Sequence, residues 1–490
     1  EAPRLSKDCQ LYLKTENLQV TGSFKVRGAY YKISQLSKEE SDKGVIACSA
    51  GNHAQGVALA ARVLNCHATI FMPRSTPEVK QTEVRRHGGR HVKIMLHGDC
   101  YDETAAAAHE YTETHGCTFV HPYDDLVTMA GQGTLADEVV MSGEGPFDRA
   151  YVAIGGGGLA ASVACWLKKF WPRIKVIGVE GIDQASMKTS IEQGRRVNLD
   201  YVDVFCDGTA VHIPGELTYP LCRELVDEFV TVTNNEVCQA IRAMWESSRV
   251  VPEPSGAMSL AGFLKQWNRG EVKPEEKSFV VISGANMDFT HLTQIARQAG
   301  IGNHETRYLR ISMDSKRGQV LKYLRHIPQD TTLVDVQYGK TEGNTQHPVF
   351  GIAASDEDLD TIRTTLKKKG IEFEDISEDD DVRFRMIHYQ PELCQHPLFV
   401  HIEFPERAGA FLDFMERIAD LASLCYFNYT YTGERVGRAL VGMEFDTAED
   451  RETIRKRMGA FSKNIIRSIR EISPEAFQRI MGSRQLTGNH

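Results

Sequence analysis

Short apolar runs alternate with longer amphipathic stretches through the first 290 residues of the chain. The apolar runs are rich in β-branched residues and predict strands at 45–48, 68–72, 92–96, 151–154, 175–179, 229–232 and 279–282. Helical spacing between them predicts helices, for example at 76–86 and 101–114. This alternation is typical of βαβ units around a largely parallel sheet with helices on its faces. Such sheets bind ligands in the loops at the carboxyl ends of their strands.

The pattern changes after about residue 305, where an internal repeat begins. Segment 311–318 aligns with segment 402–409 at an offset of 91 residues. The same offset pairs Leu321 with Leu412, Ile327 with Ile418, Tyr338 with Tyr429, and Gly351 with Gly442. Each copy reads strand, glycine turn, helix, strand, strand, helix. Two tandem α+β modules are therefore expected in this part of the chain.

Composition excludes several classes of protein. The 490 residues include 57 Lys and Arg against 66 Asp and Glu, a net charge of −9, which argues against a nucleic-acid partner. No stretch has the roughly 18–20 uncharged apolar residues that a membrane span needs. The 11 cysteines are scattered without CxxC spacing, so reduced thiols in a reducing compartment are expected. The chain starts at Glu1, which leaves the cytoplasm, or a mitochondrion or plastid after removal of a leader, open.

Four loops of small residues carry the candidate chemistry. Loop 21–29 contains a lysine, Lys25, which alone would be read as a surface residue. Loop 49–53 opens a helix and therefore predicts an anion site. The tetraglycine at 155–158 follows a strand, where a phosphate cradle fits better than a flexible linker. With the hydroxyl of loop 283–286, this set matches pyridoxal phosphate, which needs an amine, a phosphate site and a ring partner.

The chain resembles biosynthetic threonine ammonia-lyase (threonine deaminase), in the tryptophan-synthase-β-like class of pyridoxal-phosphate enzymes. The motifs that carry the resemblance lie at 23–29, 49–58, 130–134, 155–158, 253–257 and 283–286. The repeat resembles the paired ACT-like regulatory subdomains of the long form. The implied fold is an α/β catalytic domain at 1–304, with a small lobe at approximately 28–135 inserted in a larger lobe. ACT-like modules at 305–394 and 395–490 would follow it.

The resemblance also implies a role for individual residues. The cofactor site would consist of Phe24, Lys25, Asn52, Gly155, Gly156, Gly157, Gly158, Leu159, Glu253 and Ser283. In this set Lys25 would form the Schiff base, Asn52 would bond the cofactor's 3-oxygen, and Ser283 would meet the pyridine nitrogen. The substrate carboxylate would rest on Ser49, Gly51, Asn52 and His53. For His53, a positioning role is expected rather than acid–base catalysis.

The implied activity is the conversion of L-threonine to 2-oxobutanoate and ammonia by α-proton abstraction and β-elimination, the first committed step of isoleucine biosynthesis. L-Serine would be a secondary substrate, isoleucine an inhibitor, valine its antagonist, and the assembly a homotetramer. Tyr338 and Tyr429 are candidates for effector contact, with ordinary sheet packing as the alternative. The first copy, 336–339, departs from the family pattern that 427–429 keeps, so the first effector site is open.

Two alternatives remain. Serine racemase or serine dehydratase shares the fold. Racemases that resemble this chain carry a serine where this chain has Ala50. Their divalent-metal site also needs an acidic residue six positions after the equivalent of Glu180, and this chain has Ser186 at that position. Both differences favour elimination over racemisation, and no metal site is expected. The other alternative, a catalytically silent amino-acid sensor, disagrees with the retention of Lys25 and Ser283.

Overall fold

The computed structural model describes the first half of the chain almost continuously and the second half in segments. The described residues are 9–289, 291–302, 306–314, 332–337, 345–347, 349–354, 356–377, 379, 396–405, 414, 417–418, 421–430, 436–461, 466–473 and 475–476. Contacts between residues divide the chain into two compact units, Ala2–Phe289 and Thr290–His490. The domain boundaries that the sequence predicts, after 304 and 394, remain a proposal.

Strands and helices alternate along the first unit. The strands are β1 (Gln10–Thr15), β2 (Val45–Cys48), β3 (Ala68–Met72), β4 (Val92–Leu96), β5 (Thr118–Phe119), β6 (Arg149–Ala153), β7 (Lys175–Gly181), β8 (Glu228–Val232) and β9 (Lys277–Ile282). The α-helices are α1 (Lys25–Ser34), α2 (Lys38–Lys43), α3 (Asn52–Val63), α4 (Glu78–Gly88), α5 (Tyr101–His115), α6 (Leu126–Met141), α7 (Gly158–Phe170), α8 (Ser186–Glu192), α9 (Thr218–Leu225), α10 (Asn234–Ser248) and α11 (Pro254–Asn268). Short 3-10 helices lie at Glu16–Leu18, Gly89–His91 and Ile182–Gln184.

Two parallel sheets form the frame of this unit. One has the strand order β1-β9-β6-β7-β8 and the other the order β4-β3-β2-β5. Strands β2 and β6 are buried along their whole length, which explains why the sequence shows continuous apolar runs there. Because the strands are parallel, β1, β6 and β9 end at the same edge of the first sheet. Helices α7 and α11 pack against this sheet, and α3 and α5 against the second.

The second unit consists of smaller elements. Its helices are α12 (His291–Gly302), α13 (Asp356–Lys368) and α14 (Ala448–Gly459) among the residues described there. Its strands are β10 (Thr306–Ile311), β11 (Met313–Asp314), β12 (Thr332–Gln337), β13 (Thr345–Gln346), β14 (Val349–Ala353), β15 (Phe373–Asp375), β16 (Leu398–Pro405), β17 (Ser423–Thr430), β18 (Val436–Glu444) and β19 (Ser468–Glu471).

The two copies of the repeat form sheets of the same topology. The orders are β12-β14-β10-β15 and β17-β18-β16-β19, both antiparallel. A register shift interrupts β12 between Leu333 and Asp335, and another interrupts β17 between Leu424 and Tyr426. Each residue of the second pair is 91 positions after its counterpart in the first. The two copies of the predicted repeat therefore share even the position of the irregularity in this strand.

The predicted α/β fold is confirmed, and the strands predicted at 45–48, 68–72 and 92–96 have those limits. The helix predicted at 76–86 begins later, at Glu78, because Pro77 precedes it in an extended conformation. Throughout the described part of the chain, helices are too short or too polar to cross a membrane.

Candidate active site

The segment that carries Lys25 is attached to the end of β9. Ser23 forms an isolated β-bridge with Gly284, and the amide N–H of Phe24 donates to the carbonyl of Ser283 over 3.1 Å. Helix α1 begins at the next residue, so Lys25 occupies its first position. The lysine that the sequence singles out and the loop of Ser283 therefore lie side by side.

The amine of Lys25 is removed from water. Its Nζ donates to the carbonyl of Pro122 over 2.8 Å and lies 5.3 Å from the centre of the Phe24 ring. Burial lowers the pKa of Lys25 to about 8, and the charge of Glu253 partly opposes this shift. The neutral amine is therefore far more accessible near neutral pH than it is for an exposed lysine. Such an amine can act as a nucleophile or a base.

The tetraglycine loop adopts a conformation that a side chain would prevent. Gly157, with φ +95°, precedes helix α7, which has no side-chain cap at this end. A Cβ atom at Gly156 would lie 2.3 Å from the ring of Tyr123, and one at Gly157 would lie 2.5 Å from the Cε of Met187. The uncapped N–H groups and the positive end of the helix dipole make an anion site with the properties of a phosphate cradle.

Side chains that the sequence does not single out support this loop. Thr218 Oγ1 donates to the carbonyl of Gly156 over 2.5 Å. Asp124 accepts from the N–H groups of Glu216 and Leu217 at 2.8 and 2.9 Å, and this holds the start of α9 beside the loop. Neither Asp124 nor Thr218 belongs to a recognisable local motif, and only the folded chain brings them together.

Ser283 and Glu253 lie at the same edge of the sheet. Ser283 is 5% exposed, and its hydroxyl donates to the carbonyl of Ser255 over a long 3.3 Å, a weak hydrogen bond that the hydroxyl can exchange for a better acceptor. The backbone N–H of Glu253 donates to the carbonyl of Gly284 over 3.0 Å. Burial, with a smaller effect of Asp207, raises the pKa of the Glu253 carboxyl to about 8.

Asn52 joins this group from the second sheet. Its Nδ2 donates to Glu253 Oε1 over 2.7 Å, and its Oδ1 accepts from Nδ2 of Asn286 over 2.7 Å. The same Asn286 Nδ2 donates to the carbonyl of Thr21 over 2.6 Å. A chain of hydrogen bonds thus connects the start of α3, the end of β9 and the segment before Lys25.

The loop before α3 provides the second anion site. Helix α3 begins at Asn52 without a side-chain cap, while Ser49 Oγ accepts from the N–H of Gly51 over 3.2 Å. The space beside the α-carbon of Gly51 is open, since a Cβ atom there would meet no heavy atom of the described residues within 4 Å. A small carboxylate fits at this helix terminus.

His53 is held neutral. Burial, together with the nearby Lys25, lowers the pKa of the imidazole to about 3. Its Nε2 lies 2.7 Å from the carbonyl of Val120, which can only accept, so Nε2 carries the proton. Its Nδ1 is buried without a hydrogen-bond partner among the described residues. This arrangement favours the positioning role that the sequence predicts.

The structure leaves the predicted effector residues untested. Tyr338 lies outside the described residues, and of Tyr429 only its backbone pairing with Ala439 is described.

Glu180 bonds the start of helix α8. Its two carboxylate oxygens accept from the N–H groups of Met187 and Lys188. No cluster of His, Cys, Asp and Glu that could hold a metal ion occurs within the described part of the chain.

Comparison with known proteins identifies the family. The family model described as "Pyridoxal-phosphate dependent enzyme" matches residues 1–284, and "C-terminal regulatory domain of Threonine dehydratase" matches residues 394–467. This chain belongs to the pyridoxal-phosphate dependent enzymes. Within that family it is similar to the biosynthetic L-threonine dehydratase of Haemophilus influenzae, with 36% identity over 90% of this chain and 86% of the relative.

This chain is also similar to other proteins of known sequence or structure. The mitochondrial threonine dehydratase of Schizosaccharomyces pombe is 35% identical over 88% of this chain and 72% of its own length. The solved structure of the processed form of threonine deaminase isoform 2 from Solanum lycopersicum has a TM-score of 0.59 and 42% identity, covering 61% of this chain and 86% of that one. A serine racemase from Dictyostelium discoideum, with a TM-score of 0.52 and 33% identity, covers 57% of this chain and 88% of its own.

Proposed function

We propose that the chain deaminates L-threonine to 2-oxobutanoate and ammonia by removing the α-proton and eliminating the β-hydroxyl group. The observation that carries the proposal is a desolvated amine, that of Lys25, at the sheet edge where the tetraglycine loop and Ser283 also lie. The names of the relatives at 36% and 35% identity support threonine as the substrate. L-Serine, which lacks only the β-methyl group, is the secondary substrate.

Pyridoxal phosphate fits the residues at this edge. The backbone of Gly155–Gly158 and Leu159 would hold the phosphate, since their loop has no side chains in the way and ends at an uncapped helix. Phe24 would lie beside the ring, Ser283 would meet the ring nitrogen, and Asn52 would donate to the 3-oxygen. When bound, the cofactor supplies an aldehyde that joins to amines and a ring that withdraws electrons from the α-carbon.

Lys25 is the group that attaches the cofactor and accepts the α-proton. Both roles need a neutral amine, and a pKa of about 8 makes that form accessible near neutral pH. The carboxylate-binding loop, Ser49 with Gly51, Asn52 and the neutral His53, would hold the substrate so that its α-carbon faces Nζ. Ser283 contributes a hydroxyl and not a carboxylate, which favours a neutral ring nitrogen and suits elimination better than transamination.

The proposal is tested by assaying keto-acid formation from L-threonine and from L-serine, each with purified, cofactor-saturated protein. We expect turnover of threonine to exceed that of serine. Borohydride reduction followed by peptide mapping is expected to find the cofactor on Lys25. Lys25→Ala is expected to abolish both turnover and the borohydride-dependent covalent labelling of the chain by the cofactor. Survival of either property in Lys25→Ala protein would exclude this lysine from the role.

We further propose that the second unit regulates the reaction by binding branched-chain amino acids. The match of residues 394–467 to a threonine dehydratase regulatory domain and the duplicated sheet support a site for amino-acid effectors. We assign isoleucine as the inhibitor, valine as its antagonist and a homotetramer as the assembly. Addition of isoleucine to the threonine assay should lower the rate, and valine should restore it. A rate that is indifferent to both amino acids would refute this part of the proposal.

A further inference from the structure

Asn286 closes the loop of Ser283, and the function proposed above gives it no role. Its position is unusual because both hydrogens of its Nδ2 are used, one on the carbonyl of Thr21 at 2.6 Å and one on Asn52 Oδ1 at 2.7 Å. A backbone carbonyl can only accept a hydrogen bond, so the contact with Thr21 fixes which end of the Asn286 amide is the donor. That orientation in turn requires the oxygen of Asn52 to face Asn286.

Once its oxygen faces Asn286, the Nδ2 of Asn52 must face the other way. One of its two hydrogens bonds Glu253 Oε1 at 2.7 Å, and the second, for which the described residues show no acceptor, can bond a ligand. Glu253 alone does not define this orientation, because a carboxyl group accepts when ionised and also donates when protonated. The raised pKa of Glu253, about 8, makes both forms accessible near neutral pH. Asn286 is therefore the residue that fixes the direction of the hydrogen bonds in this network.

Two glycines give independent support that this arrangement is built into the fold. A Cβ atom at Gly22, where φ is +65°, would lie 2.8 Å from Asn286 Oδ1. A Cβ atom at Gly284 would lie 2.3 Å from Glu253 Oε1 and 3.3 Å from Asn52 Nδ2. A side chain at Gly22 would displace the Asn286 amide, and one at Gly284 would displace the Glu253 carboxyl group that Asn52 bonds, so the backbone on both sides leaves room for these groups.

We propose that Asn286 is a positioning residue that holds Asn52 with its amide N–H directed at the 3-oxygen of pyridoxal phosphate. The same side chain attaches Thr21, four residues before Lys25, to that amide. Asn286 thereby sets two of the partners of the cofactor, the donor at the 3-oxygen and the segment that carries the amine. The inference rests on the proposed function through the contact between Asn52 and the 3-oxygen.

The test is the pH dependence of the absorbance of the bound cofactor in holoenzyme. A donor at the 3-oxygen favours its anionic form, so loss of the donor raises the pH at which this oxygen is protonated. Asn286→Asp keeps the shape but replaces the donor, so Asn52 turns its Nδ2 toward position 286. We expect the midpoint of this pH-dependent change in absorbance to rise by about one pH unit or more. The affinity for the cofactor is expected to fall about tenfold or more.

A double-mutant cycle separates orientation from the added charge. In protein that already carries Asn52→Ala, Asn286→Asp is expected to shift the midpoint little further, because the group through which Asn286 acts is missing. Asn234→Asp is the matched control, since Asn234 Nδ2 also donates to a side chain, that of Asp203, over 2.6 Å. It is expected to lower the melting temperature of cofactor-free protein about as much as Asn286→Asp does, without moving the midpoint.

The outcomes distinguish the inference from the proposed function. If Asn52→Ala shifts the midpoint while Asn286→Asp does not, or if the two shifts add in the double variant, the inference is overturned and the proposed function stands. If Asn52→Ala itself leaves the midpoint unchanged, the contact with the 3-oxygen is wrong and the inference falls with it. Failure of the proposed function is recognised separately, by turnover or borohydride-dependent covalent labelling that persists in Lys25→Ala protein.

Discussion

At the scale of single residues, the site depends on two ionisable side chains whose pKa values are shifted by burial toward the neutral form. Desolvation lowers the pKa of Lys25 to about 8 and raises that of Glu253 to about 8. The two effects have opposite signs because one group is a cation and the other an anion. An ionised Glu253 raises the pKa of Lys25 again, so the carboxyl moderates how readily the amine loses its proton.

This coupling predicts the pH dependence of cofactor capture. The fraction of neutral amine at Lys25 increases as pH rises through about 8, so the rate at which added pyridoxal phosphate is bound covalently should increase over the same range. Glu253→Gln removes the charge that raises this pKa, and the midpoint is expected to move to lower pH. Stopped-flow absorbance with cofactor-free protein measures the rate. Glu276→Gln, in an ion pair with Arg149, is the control, and a midpoint that stays or rises in Glu253→Gln protein would contradict the prediction.

At the scale of elements, the loops at one edge of the first sheet determine where chemistry takes place. The loop 155–158 has little freedom, because Gly156 packs against the ring of Tyr123. Helix α1 is fixed just as firmly, by the guanidinium of Arg27 two residues after Lys25. Arg27 donates twice to Glu16 at 2.7 and 2.9 Å and twice to Glu138 at 2.6 and 2.8 Å.

The close packing of the tetraglycine loop predicts that one methyl group disturbs it. Gly156→Ala would bring a Cβ atom to 2.3 Å from the Tyr123 ring, so either the loop or the ring must move. We expect the affinity for pyridoxal phosphate to fall about tenfold or more, as measured by equilibrium dialysis. Gly133→Ala is the control, because a Cβ atom there meets Ser162 at an ordinary 3.6 Å. Equal affinities of the two variants would show that the loop does not hold the phosphate.

The contacts of Arg27 predict that lysine cannot replace it. An ammonium group cannot bridge two carboxylates in the way that a planar guanidinium does, and Glu16 is only 1% exposed. We expect Arg27→Lys to lower the free energy of unfolding by about 2 kcal/mol and to slow cofactor capture. Arg149→Lys breaks a comparably buried pair with Glu276, but at the amino end of β6, away from the site. Denaturation should show a similar loss for both variants, and slow capture in Arg149→Lys protein would argue against a specific effect.

Local sequence was sufficient for much of the architecture. Strands β2 and β3 could be predicted because buried parallel strands are continuous apolar runs between polar residues, and the half-exposed edge strand β4 keeps enough apolar residues around Lys93 to be recognised. Strand β6 begins two residues before the predicted limit of 151, because buried Arg149 pairs with Glu276 and therefore does not interrupt the strand. Apolar runs alone cannot reveal a charged residue that folding neutralises.

The supporting side chains of the site were less accessible to prediction. The glycine-containing loops were recognisable because their local pattern is unusual, whereas Lys25 could be assigned a role only from the combination of these loops and from the family resemblance. Asp124 and the hydrogen bonds of Asn286 depend on contacts between distant parts of the chain, 92 residues apart for Asp124 and Glu216 and 265 for Asn286 and Thr21. Nothing in the neighbouring residues of either one marks such a partner.

At the scale of the whole molecule, each unit has an apolar core of its own. In the first unit, residues of α6, α7 and the sheet strands form one buried cluster, and α3 with the second sheet forms another. In the second unit, separate clusters lie in the two repeat copies. Each unit therefore has the interior that independent cooperative unfolding requires.

Separate cores predict that thermal unfolding has more than one transition. Pyridoxal phosphate should raise the melting temperature of the transition that belongs to the first unit, because a ligand stabilises the part of the protein that binds it. Isoleucine should raise another transition, that of the second unit. Differential scanning calorimetry with each ligand alone measures both effects. One transition that both ligands raise equally would mean that the units unfold together.

The two equivalent register shifts suggest how the repeat arose. They lie at Leu333–Asp335 in one copy and at Leu424–Tyr426 in the other. A β-bulge is a specific feature of a strand, and two bulges that arose independently would seldom fall at the same position of two sheets. Inheritance from a single ancestral module, which already carried the bulge before the gene segment was copied, accounts for both. Divergence since then has changed the residues around this kink, as the difference between Asp335 and Tyr426 illustrates, while its place in the strand has been kept.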